Sequence, residues 1–303
     1  MRAAWTLSLL FVLAGLRPAV AEDSPAPEPP TMGSVLAATT AADWQAVDAD
    51  DLLVMTVNGK QVLIELADDF APRHADNIRK LATQHYFDGL KIMRVQENYV
   101  VQWGDPAEEE TARRPLGEAA AKLPAEFDRA WGTLPFAAIP DRDAYADQTG
   151  FTHGFPVGRD AQAERGWLLH CYAMVGAGRG NEADSSNGSE LYVVSGHSPR
   201  HLDRNITLVG RVIEGMEALT VLPRGTGPLG FYELPEQYVP ITSVRLASTL
   251  PEAERPRRER LRTESPAFAR LIEARRHRME PWFIHPVGRI EVCNVPIPVR
   301  TPQ

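Results

Sequence analysis

Arg94 lies in a strand-like run, Lys91 to Val95, and Gln102 closes a second one, Tyr99 to Gln102. A guanidinium is always charged and offers a planar fork of donors, so it can grip a carbonyl. A glutamine at a strand end can hold a second carbonyl. Taken singly, each has a plainer reading: a structural arginine in a strand, and an amide bonded to nearby backbone. Other constellations are thinner. His197, His201 and Asp203 occupy a turn region without zinc-type spacing, and no metal site is expected there. Gly176 to Gly188 lacks the lysine-serine/threonine ending of a phosphate loop. No glycine-flanked serine marks a nucleophile, and no cofactor is implied.

The elements that would position these residues are mostly short strands. Leu52 to Val54 leads to the turn pair Asn58-Gly59 and then to Gln61–Leu66. A helix follows, opened by Pro72, with Ala75, Ile78, Leu81 and Ala82 at helical spacing. Strands resume at Gly166 to Met174, Glu190 to Val194, Thr207 to Val212 and Ile241 to Ala247, with a short helix over Met216 to Leu222. Many short strands and only two helices predict a mainly β fold, a closed antiparallel barrel. Residues 131–165 show little periodicity and read as an excursion from it. Beyond Pro251, Glu252 to Arg262 and Pro266 to Met279 favour helix and are rich in arginine and glutamate, which reads as a solvated surface.

Ordered blocks over residues 52–249 resemble the cyclophilins. Gln61 to Ala67, Ala71-Pro72, Asn77-Ile78 and Leu81-Ala82 are similar to that family's opening strand and first helix. Lys91 to Val95, followed by Tyr99-Val100-Val101-Gln102-Trp103-Gly104-Asp105, resembles its central signature. Asn187-Gly188-Ser189-Glu190-Leu191-Tyr192-Val193 resembles its asparagine-glycine-serine strand. Leu202-Asp203 and Val209 to Met216 resemble the run into its second helix. The resemblance implies an eight-stranded barrel with two capping helices at 51–250; the 131–165 insertion and a C-terminal helical extension, 251–303, lie outside it.

It also implies a reaction, rotation about an X-Pro peptide bond. Resonance sets that barrier at about 18–20 kcal/mol, and the uncatalysed change takes tens to hundreds of seconds. A catalyst must favour the twisted amide, whose prolyl nitrogen regains its lone pair; each tenfold acceleration needs about 1.36 kcal/mol. On this resemblance Arg94 is the catalytic residue and Gln102 binds the carbonyl preceding proline. Tyr99, Val100, Tyr192, Leu202, His201 and Glu190 line the substrate site. The pattern departs from the family in places. Glu190 replaces a glutamine, Tyr192 a phenylalanine, His201 a tryptophan, Ile206 a histidine, Val209 a phenylalanine and Trp103 a glycine. A module of another class, which grips proline segments as a chaperone without turnover, is the alternative these departures motivate.

The chain ends bear on compartment. Arg2, the apolar run Ala3 to Gly15 and Ala19-Val20-Ala21 predict a signal peptide, 1–21, and so a periplasmic or otherwise exported protein with no stable membrane insertion after cleavage. Residues 22–50, opened by four prolines, are expected to be a flexible linker. The net charge of −8 disfavours nucleic acid; proline-containing polypeptides are the expected partners. Cys171 and Cys293 are either a disulfide or two buried thiols; two cysteines carry no spacing signature.

Overall fold

The computed structural model describes residues 30–107 and 109–302, so the expected signal peptide and the proline-rich start of the linker lie outside the described residues. The chain opens with helix α1 (Met32–Ala37) and strand β1 (Trp44–Ala46), then enters β2 (Leu52–Val57) and β3 (Lys60–Leu66). Asn58 and Gly59 join these two strands with φ of 50° and 73°, the left-handed pair a tight hairpin turn demands. Helix α2 (Pro72–Thr83) precedes β4 (Lys91–Val95) and β5 (Val100–Gly104). Strands β6 (Arg129–Ala130), β7 (Ala137–Ile139), β8 (Gln148–Thr152), β9 (Phe155–Asp160) and β10 (Arg165–Leu168) follow. The chain then returns with β11 (Met174–Ala177), β12 (Leu191–Val194), β13 (Leu208–Glu214), helix α3 (Met216–Thr220) and β14 (Val239–Leu246). It ends on β15 (Glu259–Leu261), helix α4 (Pro266–Arg276) and β16 (Val299–Arg300).

Eight of these strands close an antiparallel barrel in the order β11-β12-β5-β4-β14-β2-β3-β13, as the sequence predicts. Alternation explains the closure. Leu53, Met55 and Val57 on β2 and Val62, Ile64 and Leu66 on β3 point inward, joined by Trp103 and Val193. Leu52, Val54 and Leu63 face out, against Ala247. The predicted helical stripe on α2 (Ala75, Ile78, Leu81, Ala82) and Ala218 and Leu219 of α3 pack into the same interior core.

The remaining strands converge on a second core. Strands β6-β10-β9-β8-β7 form one sheet and β1-β15-β16 another, and they pack with α1 and α4 around Trp131, Phe151, Trp167 and Phe268. Three expectations are corrected here. Residues 131–165 form most of a five-stranded sheet; its strands are short and rich in glycine and polar residues, which hid their period. Of the expected linker 22–50, residues 32–46 fold, because Trp44–Ala46 pairs with Glu259–Leu261. Glu252 to Arg262 is a strand-bearing segment instead of a helix. Pro256 keeps Arg255 extended (φ −73°, ψ 115°), and the strand geometry turns Arg260 inward to pair with the buried Glu65 at 2.7 Å. The second expected helix is present as α4, with Pro266 at its first turn and the Ser265 hydroxyl accepting from Phe268 N at 3.1 Å. The Gly166–Met174 run divides between the two cores: it turns at Ala173 (φ 70°), leaving β10 in one sheet and β11 in the barrel.

Cys171 and Cys293 are joined in a disulfide across 122 residues, Cα atoms 5.0 Å apart, which ties the C-terminal segment to the β10–β11 connection within the second core. Closing so long a loop restricts the unfolded chain by about 4–5 kcal/mol in the entropy model. Reduction, or Cys293→Ser, is therefore expected to lower the thermal midpoint by roughly 10 °C for a chain of this size. An unchanged midpoint under reductant would show that the crosslink does not contribute to stability.

Candidate functional site

Register places the site. Arg94 lies opposite Gln102, Gln102 opposite Tyr192, and Tyr192 opposite Gly176, so the four share one face across β4, β5, β12 and β11. Their neighbours Val101 and Val193 point into the barrel, which makes this its outer face. A Cβ on Gly176 would sit 2.3 Å from the tyrosine Cζ and Oη, so only glycine lets the Tyr192 ring lie across β11. Tyr192, Val100 and Val194 form an apolar cluster there, with Tyr99 and Ile206 against it.

Arg94 is half-buried, flanked by the rings of Tyr99 and Phe231, whose centroids are 5.6 and 5.3 Å from its Cζ. Its Nε donates to Leu229 O at 2.7 Å, one Nη to Gln102 Oε1 at 2.9 Å and the other to Gln96 Oε1. A guanidinium has five N–H groups, so two remain free to meet a substrate. Burial lowers the Arg94 pKa from its ordinary value, opposed by Tyr99 and by the Glu190 carboxylate. Gln102 in turn donates from Nε2 to Glu190 Oε1. Room for the Glu190 side chain comes from two glycines. A Cβ on Gly104 would lie 2.9 Å from its Cγ, and one on Gly178 would lie 3.2 Å from its Oε1. The loop before Glu190 is anchored to α2, where Asn77 Nδ2 donates to Asn187 O at 2.8 Å and Gly188 (φ 81°) packs on Ile78.

The structure thus brings together Arg94, Gln102, Tyr99, Val100, Glu190 and Tyr192. Leu202 sits half-buried on the turn Arg200–Leu202, outside the apolar cluster. His201 does not join them. Arg200 turns inward on that tight turn, which drives its neighbour outward, and exposed His201 lines a cavity of about 430 Å³ beside Tyr145, Trp167 and Arg204.

Two groups of residues escaped the sequence reading. The loop Pro223–Tyr238 lies along β4: Gly225 N donates to Val95 O at 3.0 Å and Tyr232 N to Met93 O at 2.9 Å, setting Leu229 and Phe231 over Arg94. The spaced glycines 225, 227 and 230 were the only hint of so shaped a loop. A buried polar chain also backs the site. Tyr192 Oη and His170 Nε2 are 2.8 Å apart, and His170 Nδ1 and Asp203 Oδ1 3.0 Å. Asp203 accepts from Arg200 Nε at 2.5 Å, and both Arg200 Nη atoms bond Asp143 at 2.9 Å. Burial raises the Tyr192 pKa, so the phenol stays protonated; with Asp203 on Nδ1, His170 Nε2 is the natural acceptor of its proton. The 131–165 insertion therefore reaches the cup through one file of hydrogen bonds.

Comparison with known proteins agrees with this geometry. Residues 52–246 match the family model described as cyclophilin type peptidyl-prolyl cis-trans isomerase/CLD. A probable peptidyl-prolyl cis-trans isomerase of Brucella suis is 24% identical over 181 residues, covering 60% of this chain and 76% of that protein. Its Brucella abortus counterpart is 23% identical over the same shares. The crystal structure of cyclophilin AquaCyp293 from Hirschia baltica superposes with a TM-score of 0.69 at 28% identity, over 89% of this chain and 97% of that one. That likeness extends beyond the barrel into the second core. With an arginine and a glutamine set beside an apolar cluster on the outside of a closed eight-stranded barrel, and the family match running the barrel's length, the chain belongs to the cyclophilin-type peptidyl-prolyl cis-trans isomerases.

Proposed function

We propose that this isomerase acts on proline-containing segments of exported polypeptides, in the periplasm or otherwise outside the cytoplasm, with Arg94 stabilising the twisted amide. The observation that carries the site assignment is the half-buried Arg94 guanidinium, held by three hydrogen bonds with two N–H groups free, beside the Tyr99–Val100–Tyr192 cup. Such a group can hold the prolyl carbonyl and donate to the prolyl nitrogen as its lone pair localises. Gln102 keeps one Nε2 proton for the carbonyl before proline, and the aromatic cup receives the ring. The N-terminal signal pattern supports export, and a disulfide is at home in an oxidising compartment.

Turnover of an X-Pro tetrapeptide in a protease-coupled assay tests the site. Glu190→Gln keeps the bond from Gln102 while removing the carboxylate that offsets Arg94. We expect kcat/KM to rise by about 3- to 10-fold, since a charge interaction short of a contact ion pair in a half-buried site is worth roughly 1 kcal/mol. A fall would mean that the carboxylate orients the guanidinium. The crowding of Arg94 by Leu229 and Phe231 favours a second reading, a module that binds proline segments without turnover. It predicts peptide binding by the wild type at rates of rotation no faster than uncatalysed. Export is tested separately, by whether a fusion to the first 21 residues is cleaved and released from the cytoplasm.

A further inference from the structure

Large apolar side chains are seldom left outside without a use, and here they gather in one place. Met279, Trp282, Ile284 and Val287 are 57, 82, 78 and 79% exposed, all within the turn that follows α4. The turn has internal bracing. Phe283 N donates to Glu280 O at 2.9 Å, Trp282 meets Phe283 edge-on at 5.0 Å, and Arg278 stacks on Phe283 at 5.3 Å. Pro281 and Pro286 restrict the backbone on either side. The same packing that holds Phe283 in therefore holds Trp282 and Ile284 out.

Behind this apolar tip is a cavity of about 350 Å³ whose wall includes Arg275, Arg276, Arg278, Arg289 and His285. Arg276 is satisfied by Asp141 and Glu273. Among the described residues the other three arginines form no ion pair; Arg275 spends one Nη on Asn294 O at 3.3 Å, and its buried Nε has no partner. Burial and the Arg278 charge together lower the Arg275 pKa, against a weaker pull from Glu280. The one carboxylate on the wall, Glu291, is drawn to Arg200 at 3.4 Å. The wall itself carries four arginines against that one carboxylate, with Asp141, Glu273 and Glu280 set around it, so three guanidiniums face the cavity without a contact ion pair.

We propose that this face docks on an anionic phospholipid surface, with a headgroup phosphate among Arg275, Arg278 and Arg289 and with Trp282, Ile284 and Val287 at the acyl boundary. Guanidinium forks match phosphate oxygens, and a tryptophan beside aliphatic residues suits the interface between headgroups and chains. A second copy of the chain or an uncharged peptide could cover the apolar tip but would leave the three arginines without an ion-pair partner. The attachment is peripheral: among the described residues no helix is long and apolar enough to span a bilayer. It does not depend on how Arg94 works.

The test is co-sedimentation of the full chain with phosphatidylcholine vesicles, with and without phosphatidylglycerol. Binding should be at least about tenfold tighter with the anionic lipid and should weaken in high salt. The exposed triple variant Trp282→Ser, Ile284→Ser, Val287→Ser, and separately Arg278→Gln with Arg289→Gln, should each lose about tenfold. Prolyl turnover serves as the folding control and should stay unchanged in both. Equal binding to both vesicle types, or no binding to either, overturns the proposal. So does saturation by inorganic phosphate without vesicle binding, which would make the cavity a free-anion site. Sedimentation velocity showing dimers that the triple variant dissociates, with no lipid binding, would assign the face to a second copy and overturn it as well.

Discussion

Arg94→Ala should lower kcat/KM for an X-Pro tetrapeptide by about 10²- to 10³-fold while leaving the thermal midpoint nearly unchanged. The loss follows from what the side chain faces: removing one preorganised donor from a transition state typically costs about 2.7–4 kcal/mol. Stability should hold because the residue is half-exposed and its bonds run to Leu229 O, Gln96 and Gln102, groups that water can reach once the arginine is gone. Arg94→Lys separates charge from shape. A lysine keeps the cation but cannot bond Gln102, Gln96 and the substrate as one planar fork, so it should recover little of the rate. Full turnover in Arg94→Ala would remove this residue from the chemistry.

The second large effect is expected far from the peptide. Arg200 is almost wholly buried, bonded to Asp143 and Asp203, which are buried too. Arg200→Ala would leave two carboxylates in a dry seam without their cation, and breaking a buried pair in this way costs about 3–5 kcal/mol. The midpoint should drop by roughly 10 °C. Activity at low temperature offers a finer readout. Asp203 holds His170, and His170 holds the Tyr192 hydroxyl, so a displaced cup should raise KM for the peptide more than it lowers kcat. Should Arg200→Ala melt like the wild type, the chain of ion pairs is not what joins the insertion to the barrel.

Much of the barrel was legible because its signals are local. Alternation on β2 and β3, the Asn58-Gly59 turn and the apolar stripe of α2 each specify an element within about a dozen residues. Arg94, Gln102, Tyr99, Val100, Glu190 and Tyr192 were named together on the resemblance to the cyclophilins, and sheet register is what brings them to one face. Leu202 and His201, named with them, fall outside that grouping. They sit on a tight turn, where orientation depends on which neighbour is pulled inward, and Arg200 won that place through its ion pairs.

What misled the reading of residues 131–165 was the length and composition of their strands, and at 252–262 it was pairing at long range. A strand of two to six residues with glycine and charge in it has no period to detect, even where, as in β7 to β10, it pairs with its neighbour in sequence. Trp44–Ala46, Glu259–Leu261 and Val299–Arg300 make a sheet from segments more than 200 residues apart at the extremes. The helix expected at 252–262 had the right composition, but Pro256 and the attraction of buried Glu65 for Arg260 outweighed it.

By itself, then, the amino-acid order determined the barrel and its two helices, because patterns of period 2 and 3.6 state which side of an element meets the core, while resemblance to the cyclophilins singled out Arg94 and Gln102. Tertiary structure alone decided that the two cysteines join and that the N-terminal, inserted and C-terminal segments share a second core. It also decided that Phe231 and Leu229 close over Arg94 and that Tyr192 is tied to Asp143 through His170, Asp203 and Arg200. Those contacts depend on three-dimensional closure, where free energy is gained only after distant segments have met.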